Sequence, residues 1–196
     1  VDVRGGRGRV RSGDRWGTAM QIEETALPGV VILVPRRFGD DRGWFSESWN
    51  RRVHEAAGIT SDWVQDNHSF SAARGTLRGL HYQAPPHAQA KLVRCTAGAV
   101  WDVAVDARPG SAHFGKWVGV ELSAKNGRQI FVPQGFLHGF VTLEPDTEVL
   151  YKCTDYYAPE ADGSVLWSSC GIDWPFEGAP VLNPGRDVRL LARFQF

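Results

Sequence analysis

Four polar side chains in strand-like segments have the chemistry to move protons or to stabilise negative charge. They are His81 in the run RGLHYQ, Lys91 in the run QAKLVRC, His138 in the run GFLHGF, and Tyr151. A histidine titrates near neutral pH, a lysine can stabilise an oxyanion, and a tyrosine hydroxyl can donate a proton. If these segments line the interior of a β-barrel, the side chains form either a reactive site or polar packing.

Each of these residues also has an ordinary structural explanation. A single histidine in a strand is often a hydrogen-bonded core residue, and a lysine at the end of a strand can extend its ammonium group to water. A buried tyrosine commonly makes one hydrogen bond in a core or an interface. Near the C-terminus, Arg186 and Asp187 could orient a histidine, but taken alone they resemble a surface ion pair. The residue types alone leave both interpretations open.

The sequence does not favour a metal or a nucleotide cofactor. Gln83 stands where a second histidine would complete an H-x-H pair after His81, and His87 lies beyond two prolines. Two imidazoles are therefore not presented on one strand face, and we predict no metal. Phosphate-loop, dinucleotide-glycine, CxxC, HExxH and GxSxG motifs are absent. The three cysteines are expected to be reduced, buried and unreactive, which favours a cytoplasmic location.

The elements that must position these residues are short strands. In the run from Val100 to Asp106, Trp101, Val103 and Val105 fall on one face, and Asp102, Ala104 and Asp106 on the other. Similar runs separated by Gly, Pro, Asn and Asp predict strands at residues 30–34, 63–67, 76–83, 91–96, 99–106, 116–122, 129–132, 140–143 and 148–154. Residues 48–57 predict a helix that ends at Gly58. The pattern indicates a mainly β protein, an antiparallel jelly-roll barrel with one or two short helices.

Length and charge narrow the class of protein further. The 196 residues are enough for one domain, which we place at 20–196. Basic and acidic residues both number 22, and this neutral balance argues against nucleic acid as a partner. The longest uninterrupted aliphatic run is Val30 to Val34, which is too short for a membrane span. Residues 1–19 hold five Arg and five Gly, and we interpret them as a leader or tag-like segment, with a basic binding arm as the alternative.

Several longer stretches together resemble the dTDP-4-dehydrorhamnose 3,5-epimerase family of the cupin superfamily. They include FGDDRGWFSESWN, VQDNHSFS, LRGLHYQAPPHAQAKLVRC and LYKCTDYYAPEADGSVLW. The resemblance covers residues 20 to 196. It implies epimerisation of dTDP-4-dehydro-6-deoxy-D-glucose at C3 and C5 to dTDP-4-dehydro-L-rhamnose, without a cofactor or metal. A proton next to the C4 ketone would be removed and returned on the opposite face of the ring, which needs a base, an oxyanion stabiliser and an acid.

The resemblance also assigns roles to individual residues. His81 would be the general base, Tyr151 the general acid, and Lys91 the group near the C4 oxygen. Asp187 would hydrogen-bond to His81 and fix its tautomer. Substrate contacts are implied for Arg42, Glu47, Gln65, Asn67, Arg78, His138, Tyr157, Asp162 and Arg186, with Tyr157 stacking on thymine.

The resemblance also implies a homodimer whose two subunits exchange N-terminal strands. The segment from Gln21 to Val34 would be the exchanged strand, and Arg42 and Glu47 would then act in the neighbouring subunit's site. The segment before Asp187 is one residue longer than is usual in the family, so Arg186 and Asp187 can be displaced.

Two other functions remain open at this point. One is a single-centre epimerase that acts at C3 or C5 only, on a related sugar. The other is a non-catalytic sugar-nucleotide-binding cupin, which would have no need of His81 and Tyr151; both residues are present.

Overall fold

The computed structural model describes residues 20–176 and 180–182. The leader interpretation for residues 1–19, and the roles given to Arg186 and Asp187, lie outside these residues. The described chain contains one helix, α1 (Arg51–Ala56). Its strands are β1 (Met20–Glu24), β2 (Val31–Pro35), β3 (Arg37–Asp40), β4 (Gly43–Ser46), β5 (Gln65–Ser71), β6 (Leu77–Gln83), β7 (Lys91–Ala97), β8 (Ala99–Asp106), β9 (Trp117–Ser123), β10 (Gln129–Val132), β11 (Phe136–Thr142), β12 (Thr147–Cys153) and β13 (Asp162–Ser164).

Two antiparallel sheets face one another, as the jelly-roll prediction requires. One sheet has the strand order β1-β2-β10-β7-β12-β5, and the other has the order β13-β6-β11-β8-β9. Alternate residues of both sheets meet in a shared apolar core, which includes Val93, Val149, Ala104 and Phe140. Each strand presents every second residue to this core, so polar residues at the same positions must face the space between the sheets. The mainly β architecture is confirmed.

The outer face of each sheet is covered as well. Val103 and Val105 pack outside the five-stranded sheet against Trp117 and Trp174, while Ala104 faces inward, as the alternation in β8 predicts. Outside the six-stranded sheet, Leu92 lies in a cluster that includes residues of α1. Both sheets are therefore held between apolar layers, which fixes the orientation of each inward-facing side chain.

The predicted helix is shorter than the sequence suggested. It begins after Asn50, whose side chain accepts hydrogen bonds from the backbone N–H groups of Arg52 and Val53. It ends before Gly58, which has a φ of +82° and stands at the expected stop position. In the described part of the chain, no helix is both long enough and apolar enough to cross a membrane.

Candidate active site

One end of the space between the two sheets opens into a cleft of about 1170 Å³. Its lining includes nine of the thirteen predicted site residues. They are Gln65, Asn67, Arg78, His81, Lys91, His138, Tyr151, Tyr157 and Asp162. Residues that are distant in sequence thus meet in one place, because both sheets turn their polar inward positions toward the same end.

The six-stranded sheet forms one wall of this cleft. On its three neighbouring strands β7, β12 and β5, Lys91 lies opposite Cys153, and Cys153 lies opposite Gln65. Tyr151, which is two residues before Cys153 in β12, lies opposite Asn67. Residues two apart in a strand share a face, so these positions form two polar rows on the same wall.

The five-stranded sheet forms the facing wall. His81 of β6 lies opposite His138 of β11. The base and the acid implied by the family resemblance, His81 and Tyr151, therefore come from opposite sheets. A ligand held between the sheets would have one of these groups on each side.

Strand β6 departs from strict alternation at Arg78. Arg78 and His81 are three residues apart, so alternation would put them on opposite faces, whereas both side chains line the cleft. The register between β6 and β11 shifts at this point, so that Gly79 and Leu80 lie opposite Gly139 alone, as in a β-bulge. A Cβ atom on Gly79 would lie 2.5 Å from the Gly139 Cα, and only a glycine permits this close approach.

Burial changes the acidity of the two candidate groups on the six-stranded wall. It lowers the pKa of Lys91 from its ordinary value of 10.5, although the charges of Cys153, Asp102 and Asp162 oppose the shift. Burial raises the pKa of Tyr151 above 10.0, and Cys153 adds to the rise while Arg78 opposes it. The Lys91 Nζ atom lies 6.0 Å from the centre of the Tyr151 ring. Burial thus favours the protonated form of Tyr151, whose ring lies beside the Lys91 amine.

A buried hydrogen-bonded contact that we did not predict holds His138 in place. The His138 Nε2 atom lies 3.0 Å from each carboxylate oxygen of Asp102, and the Asp102 side chain is fully buried. Asp102 lies on the inward face of β8, which it shares with Ala104, as their spacing of two residues indicates. The signal available in the sequence was an acidic residue within a strand-like run, on the same face as Ala104. The contact fixes the orientation of the His138 ring at the cleft wall.

Amide side chains continue the polar wall toward the mouth of the cleft. The Gln65 Nε2 atom donates to the Asn67 Oδ1 atom at 3.0 Å, and the Asn67 Nδ2 atom lies 3.5 Å from the Cys153 Sγ atom. The Gln65 Oε1 atom accepts a hydrogen bond of 3.0 Å from the Tyr157 backbone N–H. The Tyr157 hydroxyl lies 3.3 Å from an Asp162 carboxylate oxygen. Tyr157 is 58% exposed, so a large part of its ring remains available to a ligand.

Arg42 and Glu47 do not line the cleft of their own chain. Arg42 lies in the turn between β3 and β4, where its guanidinium group pairs with Asp40 at 2.5 Å and its side chain is 89% exposed. Glu47 follows β4 and is also exposed. The β3–β4 hairpin forms a separate two-stranded sheet and carries the exposed aromatic residues Trp44 and Phe45.

The described residues contain no group of three or more His, Cys, Asp or Glu side chains placed to hold a metal ion. The amide of Gln83, at the position where a second histidine would stand, is fully engaged with backbone groups.

Comparisons with a family model, with curated relatives and with solved structures all identify the same family. Residues 24–191 match the family model described as dTDP-4-dehydrorhamnose 3,5-epimerase. A curated relative of that name from Salmonella typhimurium is 53% identical over 167 residues, which cover 84% of this chain and 91% of the relative.

Two solved structures are similar to this chain over most of its length. An epimerase of the same name from Bacillus anthracis, with TDP and PPi bound, has a TM-score of 0.82 and 49% identity, covering 84% of this chain and 95% of that one. A dTDP-6-deoxy-D-glucose-3,5-epimerase from Legionella pneumophila, in complex with dTDP-4-keto-L-rhamnose, has a TM-score of 0.80 and 48% identity, covering 84% and 88%.

Proposed function

This chain belongs to the dTDP-4-dehydrorhamnose 3,5-epimerase family of isomerases, and from that premise we propose that it inverts C3 and C5 of dTDP-4-dehydro-6-deoxy-D-glucose to give dTDP-4-dehydro-L-rhamnose. The single observation that carries the proposed mechanism is the placement of His81 and Tyr151 on opposite walls of one cleft. Inversion of a carbon centre requires that a proton leave from one face and return to the other. A base on one sheet and an acid on the other meet that requirement.

The proposed reaction runs through an enolate at each centre. His81 takes the proton from the carbon next to the C4 ketone, the C–H electron pair forms a carbon–carbon double bond, and the C4 oxygen becomes negatively charged. Tyr151 then gives its hydroxyl proton to the same carbon from the other side, and the ketone is restored. Solvent returns a proton to Tyr151 and removes one from His81. C3 and C5 both adjoin C4, so one base and one acid can serve both centres.

Lys91 is the proposed partner of the developing negative charge. Its ammonium group sits on the same wall as Tyr151. A charge that is already in place in a site of low dielectric stabilises an oxyanion without reorganisation. The raised pKa of Tyr151 supports its proposed role as the acid, because an acid must still hold its proton when the enolate forms.

The nucleotide is proposed to bind at the mouth of the cleft. Tyr157 is exposed there and would stack on the thymine ring, close to Asp162. Arg78, anchored by the Ser71 hydroxyl and the Phe70 carbonyl, supplies a positive charge for the diphosphate or the sugar. His138, Gln65 and Asn67 would contact the sugar, and Arg186 and Asp187 keep the roles implied by the family resemblance.

We also propose a homodimer in which the β3–β4 hairpin completes the neighbouring subunit's site. The segment from Gln21 to Val34, which the family resemblance implied as the exchanged strand, pairs within its own chain, β1 with β2 and β2 with β10. The hairpin's exposed aromatic residues Trp44 and Phe45 offer an apolar surface for such a contact. Arg42 and Glu47, which do not line the cleft of their own chain, would then reach the partner's nucleotide. The free cysteines Cys95, Cys153 and Cys170 fit the proposed cytoplasmic location.

Arg42→Ala is expected to raise the apparent KM about tenfold while leaving kcat within about twofold, because a charge that contacts the nucleotide equally in ground and transition states affects binding alone. Arg51→Ala, which removes an exposed arginine paired with Asp62, serves as the control. If Arg42 acts in the partner's site, mixing Arg42→Ala with the inactive His81→Ala protein restores sites in which both residues are intact. Assayed at substrate well below KM, activity in that mixture no higher than the average of the two separate proteins would argue against a role for Arg42 in the partner's site.

The product identifies the reaction directly. After incubation with dTDP-4-dehydro-6-deoxy-D-glucose, the ketone is reduced with borohydride and the sugar is released by acid. We expect 6-deoxy-L-mannose and 6-deoxy-L-talose, the two alcohols of the doubly inverted ketone. Only 6-deoxy-D-glucose and 6-deoxy-D-galactose would mean that neither centre had been inverted, and would refute the proposed function.

A further inference from the structure

Gln83 at the end of β6 is buried, and its side-chain amide makes three hydrogen bonds with backbone groups. Its Nε2 atom donates to the His87 carbonyl at 2.7 Å and to the Tyr156 carbonyl at 3.1 Å. Its Oε1 atom accepts from the Ala158 backbone N–H at 2.9 Å. The two carbonyls and the one N–H fix which end of the amide is oxygen, since only that orientation satisfies all three bonds.

Two of these three bonds fall on the residues that flank Tyr157. Gln83 therefore hydrogen-bonds to the backbone immediately before and immediately after Tyr157. Gln65 of the opposite sheet accepts a hydrogen bond from the Tyr157 N–H itself. Three successive backbone positions are tied to side chains from both walls of the cleft. The ring between them is 58% exposed, so side-chain packing cannot be what holds it in place.

We propose that Gln83 is a positioning residue for nucleotide binding, which fixes Tyr157 in the orientation that stacks on the base. This inference rests on the proposed function, since it takes the ligand to be a thymidine diphosphate sugar. An exposed aromatic ring binds a base well only when its backbone is already ordered, because otherwise the ordering entropy is lost on binding. Gln83 supplies that order before the ligand arrives.

The arrangement also explains why a glutamine is required at this position. A residue that bridges two carbonyls and one N–H must carry two donors and one acceptor at its tip, and among the side chains of this length only the glutamine amide does so. Gln83→Met keeps the length and removes all three hydrogen bonds. Gln83→Glu keeps an acceptor for Ala158 and removes both donors.

The test measures the dissociation constant of dTDP by calorimetry and kcat at saturating substrate. The proteins compared are the parent, Gln83→Met, Tyr157→Ala and the double variant. Gln134→Met is the matched control, because Gln134 is exposed and donates to the backbone of the same β6–β7 connection, at Ala88, without contacting the Tyr157 segment. Thermal unfolding accompanies each protein, and Gln83→Glu replaces Gln83→Met if the latter does not fold.

Gln83→Met is expected to weaken dTDP binding about tenfold and to leave kcat within about twofold, with Gln134→Met unchanged. In the Tyr157→Ala background, Gln83→Met should weaken binding no further, because its effect passes through that ring. Full additivity of the two changes, or unaltered dTDP binding by Gln83→Met, would overturn the inference and leave the epimerase assignment intact. A parent protein that binds no dTDP would instead refute the proposed function.

Discussion

His81→Ala is expected to lower kcat by at least about 100-fold, the usual scale for loss of a general base. His81 lies on the wall facing Tyr151, and without it no described imidazole takes its place, because the other two that line the cleft, His138 and His68, are held by Asp102 and Glu148. KM should change little, because the imidazole acts on the proton that is transferred in the chemical step. The measurement is the rate of product formation at saturating substrate, together with the dissociation constant of dTDP.

His113→Ala is the matched control for this experiment. His113 lies in the β8–β9 connection, away from the residues that line the cleft, so its removal should leave kcat unchanged. Turnover of His81→Ala within a few-fold of the parent would end the proposed mechanism. Equal losses in both histidine variants would point to general damage to the fold.

Lys91→Met is expected to lower kcat by about 100- to 1000-fold, because it removes the preorganised charge opposite the developing oxyanion. The loss should appear in kcat and in kcat/KM to the same degree, as it does for an interaction made in the transition state alone. Lys152→Met is the control. Lys152 is a neighbour of Tyr151 on β12, but it pairs with Asp66 on the outer face of the sheet and should have no effect on turnover.

The pH dependence gives an independent check on Lys91. Burial lowers the pKa of Lys91 from its ordinary value of 10.5, so its positive charge is lost at a lower pH than that of an exposed lysine. Burial raises the pKa of Tyr151, so the acid keeps its proton over the same range. The rate should therefore fall on the alkaline side as Lys91 deprotonates. In Lys91→Arg, whose guanidinium stays charged, the remaining activity should persist to higher pH; an alkaline fall identical to the parent's would contradict this role.

Much of the fold was predictable from the sequence because strand alternation is a local property. Period-two spacing alone places Ala104 on the opposite face of β8 from Val103 and Val105, and the packing of the two sheets decides which face is inward. Alternation fails where the chain departs from that period, as at the bulge at Gly79, which turns Arg78 into the cleft. The prediction for β11 was wrong in its boundary, because the strand begins at Phe136 and not at Phe140.

The candidate site was predictable in its residue types but not in its supporting contacts. Nine residues named from sequence motifs meet in one cleft because both sheets bring their inward positions to the same end. The support of His138 by Asp102, and of the Tyr157 backbone by Gln83, depends on which strands become neighbours. That information is non-local, and a single sequence shows only that a polar residue stands on an inward face.

The central claim is that one cleft inverts two centres, and proton NMR in D2O tests it most directly. The purified protein is incubated with dTDP-4-dehydro-6-deoxy-D-glucose in the presence of EDTA, and the C3 and C5 proton signals are followed over time. The mechanism predicts that both signals disappear as solvent deuterium enters at each carbon, with His81→Ala showing neither loss on the same time scale. Exchange at one carbon alone, or at none, would contradict the claim.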